Sequence, residues 1–172
     1  VSPRFVVLGP PGGGKTTVGV LLAERLGVGF RDTDDDIVES TGKPISDIFT
    51  TDGEPAFRAL EEAAVAKALA EYEGVLSLGG GAILSDLTRT RLAGHTVVFL
   101  NVGMAEGVRR TGLSSARPLL AGVNPRATYK ALLDARLPLY REVAKIEVAT
   151  DTLTPEEVVA TILATPEAAP TS

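Results

Sequence analysis

The chain has 172 residues, which fits one domain large enough to bury a real core. Hydrophobic residues make up 44%, which excludes a disordered chain, and no apolar stretch approaches the roughly 20 residues of a membrane span. The net charge of −5 argues against a general nucleic-acid binder, and the lack of cysteine excludes disulfides, thiolate metal sites and cysteine nucleophiles.

No signal peptide precedes the first predicted strand, so a soluble, cytoplasmic monomer with no membrane or nucleic-acid partner is expected. That strand, Arg4–Leu8, is an apolar run that reads as buried. Gly9-Pro10-Pro11-Gly12-Gly13-Gly14-Lys15-Thr16 follows, a full match to the P-loop pattern Gly-x-x-x-x-Gly-Lys-Ser/Thr. A glycine-rich turn would explain the glycines but not Lys-Thr at the start of a helix. That helix, Lys15–Leu26, carries Val18, Leu21, Leu22 and Leu26 at helical spacing. Glycines let backbone N–H groups turn around a polyphosphate, and the helix adds its positive end to the same anion. Lys15 would reach the β and γ phosphates and Thr16 would ligate Mg²⁺. The chain is therefore expected to bind a nucleoside triphosphate.

A short strand near Gly29–Asp32 leads into Asp32-Thr33-Asp34-Asp35-Asp36. Asp35 and Asp36 read as a solvated helix start. Asp32 and Asp34, alternate residues at a strand end, are expected to face the cleft together, one serving Mg²⁺ and the other the acceptor hydroxyl. Helices are predicted over Asp35–Thr41, Ser46–Thr51 and Pro55–Glu71, broken by Gly42, Pro44 and Asp52-Gly53. Arg58 in the third lies among apolar neighbours, which suits an anion receptor or the partner of a buried acid. Glu61, one turn on, would orient it or merely form a surface pair.

The strand Val75–Leu78 runs into Gly79-Gly80-Gly81, either a loose turn or a place where bare N–H groups meet an anion. Then follow a helix Ser85–Leu92, a strand Thr96–Val102, a helix Ala105–Thr111 and a helix Pro125–Val143, which carries Arg136. The last strand is Lys145–Thr150 and the last helix Pro155–Ala164, with a capping box from Thr154 and Glu157. Twelve of the seventeen basic residues are arginine, whose forks suit carboxylate and phosphate oxygens.

Alternating strands and helices predict a doubly wound α/β domain with a five-stranded parallel sheet, and ligands at the carboxyl ends of its strands. The expected organisation is a single domain over residues 1–165, with residues 34–61 as a substrate-binding segment and 112–124 as a lid carrying Arg117. Residues 166–172 are expected to be a disordered tail. Spacing alone leads as far as a kinase of a small hydroxy acid or phosphorylated sugar.

Six segments together resemble the shikimate kinase family: Gly9–Thr16, Asp32-Thr33-Asp34, Phe57-Arg58-x-x-Glu61, Leu78-Gly79-Gly80-Gly81, Arg117-Pro118-Leu119-Leu120 and Arg136-x-Pro138-Leu139-Tyr140. They follow the family's order and span residues 5 to about 160. The resemblance implies a nucleoside-monophosphate-kinase-like fold with strand order 2-3-1-4-5. It implies transfer of the ATP γ-phosphate to the 3-hydroxyl of shikimate, a step toward chorismate. Asp34 would be the base or orienting group and hydrogen-bond ring hydroxyls. Arg58, Arg136 and the Gly80–Gly81 backbone would grip the carboxylate, with Phe49, Phe57 and Glu61 around the same pocket. Thr16 and Asp32 would serve Mg²⁺, and Lys15 and Arg117 the transferring phosphate. Gly12, Gly13, Gly14, Lys15, Thr16 and Thr17 would cradle the nucleotide, and Arg110 and Pro155 would flank adenine. Gly13 stands where the family often has Ser, which leaves the cradle intact. A gluconate-type or nucleotide kinase, and a non-catalytic ATP-binding module, are the rival readings.

Overall fold

The computed structural model describes residues 2–111 and 125–168. Five strands form one sheet: β1 (Phe5–Leu8), β2 (Phe30–Asp32), β3 (Val75–Ser77), β4 (Val97–Asn101) and β5 (Ile146–Ala149). All four pairings are parallel and the order is β2-β3-β1-β4-β5, as the resemblance implies. The central β1 holds register with both neighbours, Val6 opposite Leu76 of β3 and opposite Val97 of β4.

Alternation along β1 sorts its side chains onto two cores. Phe5 and Val7 join Val18 and Leu22 of α1 (Lys15–Leu26) and Val158, Val159 and Ile162 of α8 (Pro155–Ala164) on one face. Val6 and Leu8 join Val65, Ala68 and Leu69 of α4 (Glu54–Glu71), Leu92 of α5 (Asp86–Leu92) and Tyr140 of α7 (Pro125–Val143) on the other. Burial on both faces explains why the strands are nearly continuous apolar runs. A third, smaller cluster of Ile37, Ile48 and Phe57 ties α2 (Thr33–Thr41) and α3 (Ile45–Thr51) to α4. A fourth, around Val102 and Tyr129, joins α6 (Met104–Thr111) to α7. No helix among the described residues is long and apolar enough to cross a membrane.

Two expectations change. Helix α2 begins at Thr33 rather than Asp35, because the Asp32 carboxylate accepts the Asp34 N–H at 2.8 Å and caps the helix there. Asp34 is thus a first-turn helix residue and not a strand-end residue. The tail is ordered further than its composition suggests: Pro166–Ala168 form a 3₁₀ turn, and Ala168 packs against the first core. The lid, Arg117 and residues 169–172 lie outside the described residues.

Candidate active site

The loops after β1 and β3 meet the first turn of α2 at the carboxyl edge of the sheet. In the first, Gly12 and Gly14 take φ of 86° and 84°, left-handed values that a side chain would strain. The loop is fastened by two distant residues. Tyr129 of α7 donates to the Pro11 carbonyl at 2.6 Å, and Arg110 of α6 donates to the Gly12 carbonyl at 3.1 Å. Lys15 is folded onto its own loop, its ammonium on the Gly9 carbonyl at 3.0 Å and the Pro10 carbonyl at 3.2 Å.

A cavity of about 280 Å³ opens in front of this loop, lined by Gly12, Gly14, Lys15, Thr16, Thr17, Asp32, Asp34, Leu78 and Arg110. It brings the P-loop residues and both aspartates to one place. Burial, and then the neighbouring charge of Asp34, pushes the Asp32 carboxyl up to about 6. A cation would relieve that crowding, and hydroxyl and carboxylate oxygens are the hard donors Mg²⁺ takes. Among the described residues no group of three or more His, Cys, Asp or Glu could hold a metal ion on its own. A Mg²⁺ ion carried by nucleotide phosphates needs only one or two protein oxygens, so the donor set fits that role.

A second cavity, about 210 Å³, continues behind Gly13, Gly14 and Thr17 to Arg110, Thr150, Leu153, Pro155 and Val158. Its walls combine apolar side chains with one guanidinium, as a planar heterocycle would require. Arg110 is fixed there by the Thr150 carbonyl at 2.8 Å, the Thr150 hydroxyl at 3.0 Å and Glu106 at 3.0 Å. Arg110 and Pro155, expected to share one contact region, do line the same cavity.

On the other side of the cleft lies the glycine triplet. A Cβ at Gly79 would stand 2.7 Å from Glu61 Oε2 and 2.9 Å from Asp34 Oδ1. One at Gly80 would stand 3.5 Å from Arg136 Nη1, and one at Gly81 would overlap the Arg58 guanidinium. The triplet is therefore a bare floor on which four charged side chains from α2, α4 and α7 converge. These approaches give the glycines a packing reason beyond loosening a turn.

Two of the four charged groups, Arg58 and Glu61, support each other. Arg58 bonds Glu61 at 2.8 Å and Glu54 at 3.0 Å, and its guanidinium carbon lies 5.3 Å from the Phe57 ring centre and 5.8 Å from that of Phe49. The two rings pack on each other at 4.7 Å, so Phe49 and Phe57 hold the arginine from beneath; Phe57 itself is buried. Glu61 is only 3% exposed, which settles it as a buried partner and not a surface pair. Burial raises its pKa, with the charge of Arg58 opposing. Arg136 is 6% exposed, one turn before Tyr140, whose hydroxyl donates to the Gly80 carbonyl at 2.5 Å.

Glu54, Thr150, Tyr129 and Tyr140 were not singled out from the sequence as site residues. Glu54 could have been found by its i,i+4 spacing to Arg58, and Tyr140 by its place in the Arg136-x-Pro138-Leu139-Tyr140 run. Tyr129 and Thr150 carry no local signal, since their partners are 118 and 40 positions away.

Comparison with known proteins follows the same lines. The family model described as shikimate kinase matches residues 11–167. The shikimate kinase of Saccharopolyspora erythraea is 73% identical over 159 residues, covering 92% of this chain and 91% of that one. A solved structure of shikimate kinase from Acinetobacter baumannii in complex with shikimate has a TM-score of 0.90 at 37% identity, covering 95% of this chain and 91% of that one. A gluconokinase from Sinorhizobium meliloti is more distant, with a TM-score of 0.54 at 24% identity over 93% of this chain and 89% of that one, and shares the fold alone. The chain belongs to the shikimate kinase family.

Proposed function

We propose that this chain transfers the γ-phosphoryl group of ATP to the 3-hydroxyl of shikimate, giving shikimate 3-phosphate and ADP. The observation that carries the reading is the floor at Gly79–Gly81, where Asp34, Arg58 and Arg136 converge opposite a P-loop. Shikimate is a small ring with a carboxylate at one end and hydroxyls at the other. Two arginines and bare glycine N–H groups match the carboxylate, and a single aspartate matches the hydroxyls.

In this reading the Gly12–Thr17 backbone holds the polyphosphate, and Arg110 and Pro155 flank adenine. Lys15 exchanges its two loop carbonyls for β and γ phosphate oxygens, where its charge offsets the negative charge that moves to the leaving group. Arg58, Arg136 and the Gly80–Gly81 N–H groups hold the acceptor carboxylate, with Phe49, Phe57 and Glu61 keeping Arg58 in place. Asp34 orients the acceptor hydroxyl and takes its proton as the oxygen attacks phosphorus. Thr16 and Asp32 would hold Mg²⁺, which when bound would supply charge neutralisation to the polyphosphate. Arg117, within the lid at residues 112–124, would close over the transferring phosphate.

A coupled ADP-release assay with shikimate, gluconate and AMP, with the product examined by phosphorus NMR, tests this. Turnover of shikimate to a 3-phosphate ester supports it. Turnover of gluconate but not shikimate, or ATP binding without turnover of any acceptor, refutes it.

A further inference from the structure

The loop after β1 and the loop after β3 each have one carbonyl tied to a buried phenol of the same helix. Tyr129 and Tyr140 are both fully buried on α7. They are eleven residues apart, which at 3.6 residues per turn is about three turns. They therefore leave α7 on one face, with Arg136 between them on that face. Tyr129 reaches the Pro11 carbonyl at 2.6 Å and Tyr140 the Gly80 carbonyl at 2.5 Å.

A trans peptide is planar, with its C=O and N–H pointing in opposite directions. No cis peptide occurs among the described residues. Fixing the Pro11 carbonyl against Tyr129 therefore fixes the Gly12 N–H away from α7. Fixing the Gly80 carbonyl against Tyr140 does the same for the Gly81 N–H. These two N–H groups belong to the proposed nucleotide cradle and the proposed acceptor cradle respectively. Glycine loops have many accessible conformations, so an anion-binding array of N–H groups needs something to keep each peptide from turning over.

Neither phenol has room to serve elsewhere. A methyl group at Gly107 of α6 would overlap the Tyr129 ring, which Val102, Met104, Val108 and Leu133 also enclose. The Tyr140 ring stacks on Phe99 of β4 at 4.9 Å. Burial raises the pKa of both phenols, that of Tyr140 to about 12, which favours the O–H form that donates.

We propose that Tyr129 and Tyr140 are positioning residues with divided duties: Tyr129 sets the nucleotide loop and Tyr140 sets the acceptor loop. The assignment rests on the phosphoryl-transfer reading above and adds which loop each phenol governs. Tyr129→Phe and Tyr140→Phe keep both rings and remove only the O–H, which leaves one buried carbonyl unpaired in each case. Steady-state kinetics with each substrate varied should show a crossed pattern. Tyr129→Phe raises the KM for ATP roughly three- to tenfold and leaves that for shikimate within about twofold. Tyr140→Phe does the reverse. Gly107→Ala, which displaces the Tyr129 ring without removing its hydroxyl, should repeat the ATP-side change.

Calorimetric titration of ADP into both tyrosine variants reads the nucleotide half without any turnover. Weaker ADP binding in Tyr129→Phe alone supports the assignment. Equal shifts in both KM values, no shift in either, or a loss of thermal stability with unchanged ligand affinities overturns it. If the wild type does not phosphorylate shikimate, the acceptor reading fails, while the ADP titration still decides the part of Tyr129.

Discussion

On the proposed reading, the two halves of the cleft would recognise their ligands by different means. The donor half is mainly backbone: one contiguous loop, Gly9–Thr16, leads straight into the first turn of α1, and side chains from α6 and α7 fasten it, Arg110 also lining the cavities beside it. The acceptor half is side chain: Asp34, Arg58, Glu61 and Arg136 come from three helices and meet over a floor kept bare by glycine. A backbone cradle suits an anion common to all nucleotides. Side chains from separate helices suit one acceptor, because each can change without unmaking the loop. Outside Lys15, Thr16 and the residues that fasten the loop, the donor half should therefore tolerate side-chain changes that the acceptor half cannot.

Asp34→Asn breaks the acceptor half most deeply. It keeps the shape but removes the proton acceptor, so kcat should fall by about 100-fold or more while the KM for ATP stays near wild type. A kcat near wild type would make Asp34 only a binding group. Arg136→Lys comes next. Loss of the two-pronged contact should raise the shikimate KM about tenfold with a smaller change in kcat, read by initial rates over a range of shikimate. An unchanged KM would place Arg136 outside the acceptor contacts.

Glu61→Gln sharpens the comparison by acting through Arg58. Because Glu61 is 3% exposed and bonded to Arg58 at 2.8 Å, its loss should lower stability by about 1–3 kcal/mol in a urea titration. The shikimate KM should rise a few-fold with it, leaving that for ATP unchanged. The smallest effect belongs to Thr154→Ala, which removes the capping box of α8 beside the proposed adenine cavity. It should cost about 1 kcal/mol in stability. The ATP KM should move less than twofold, since the donor loop does not hang from that cap.

How legible each half was in the sequence follows from the same division. The P-loop is contiguous, so its residues, its strand and its helix could be read from eight letters and their flanks. The layers could be read because β1 is apolar at every position and the helices carry apolar residues at helical spacing. The meaning of Gly79-Gly80-Gly81 could not, because what demands glycine there is the approach of Asp34, Glu61, Arg136 and Arg58 from far along the chain. Local reasoning offers bare N–H groups for an anion there, and the family resemblance adds Arg58 and Arg136 as their neighbours. Asp34 was placed correctly in the cleft but for the wrong local reason, since the cap made by Asp32 draws it into a helix. Likewise a small, polar, proline-containing tail gave no sign that Ala168 would pack on the core.

Gly81→Ala tests the division most directly. The backbone at Gly81 has φ −99°, which any residue adopts, so an alanine there leaves the backbone unstrained, and the nearest atoms its methyl group meets are those of the Arg58 guanidinium. Calorimetric titration of the variant with ADP and with shikimate should show ADP affinity within about twofold of wild type and shikimate affinity at least roughly tenfold weaker. Shikimate binding that survives the methyl group, or ADP binding that falls with it, would contradict a cleft divided between a backbone half and a side-chain half.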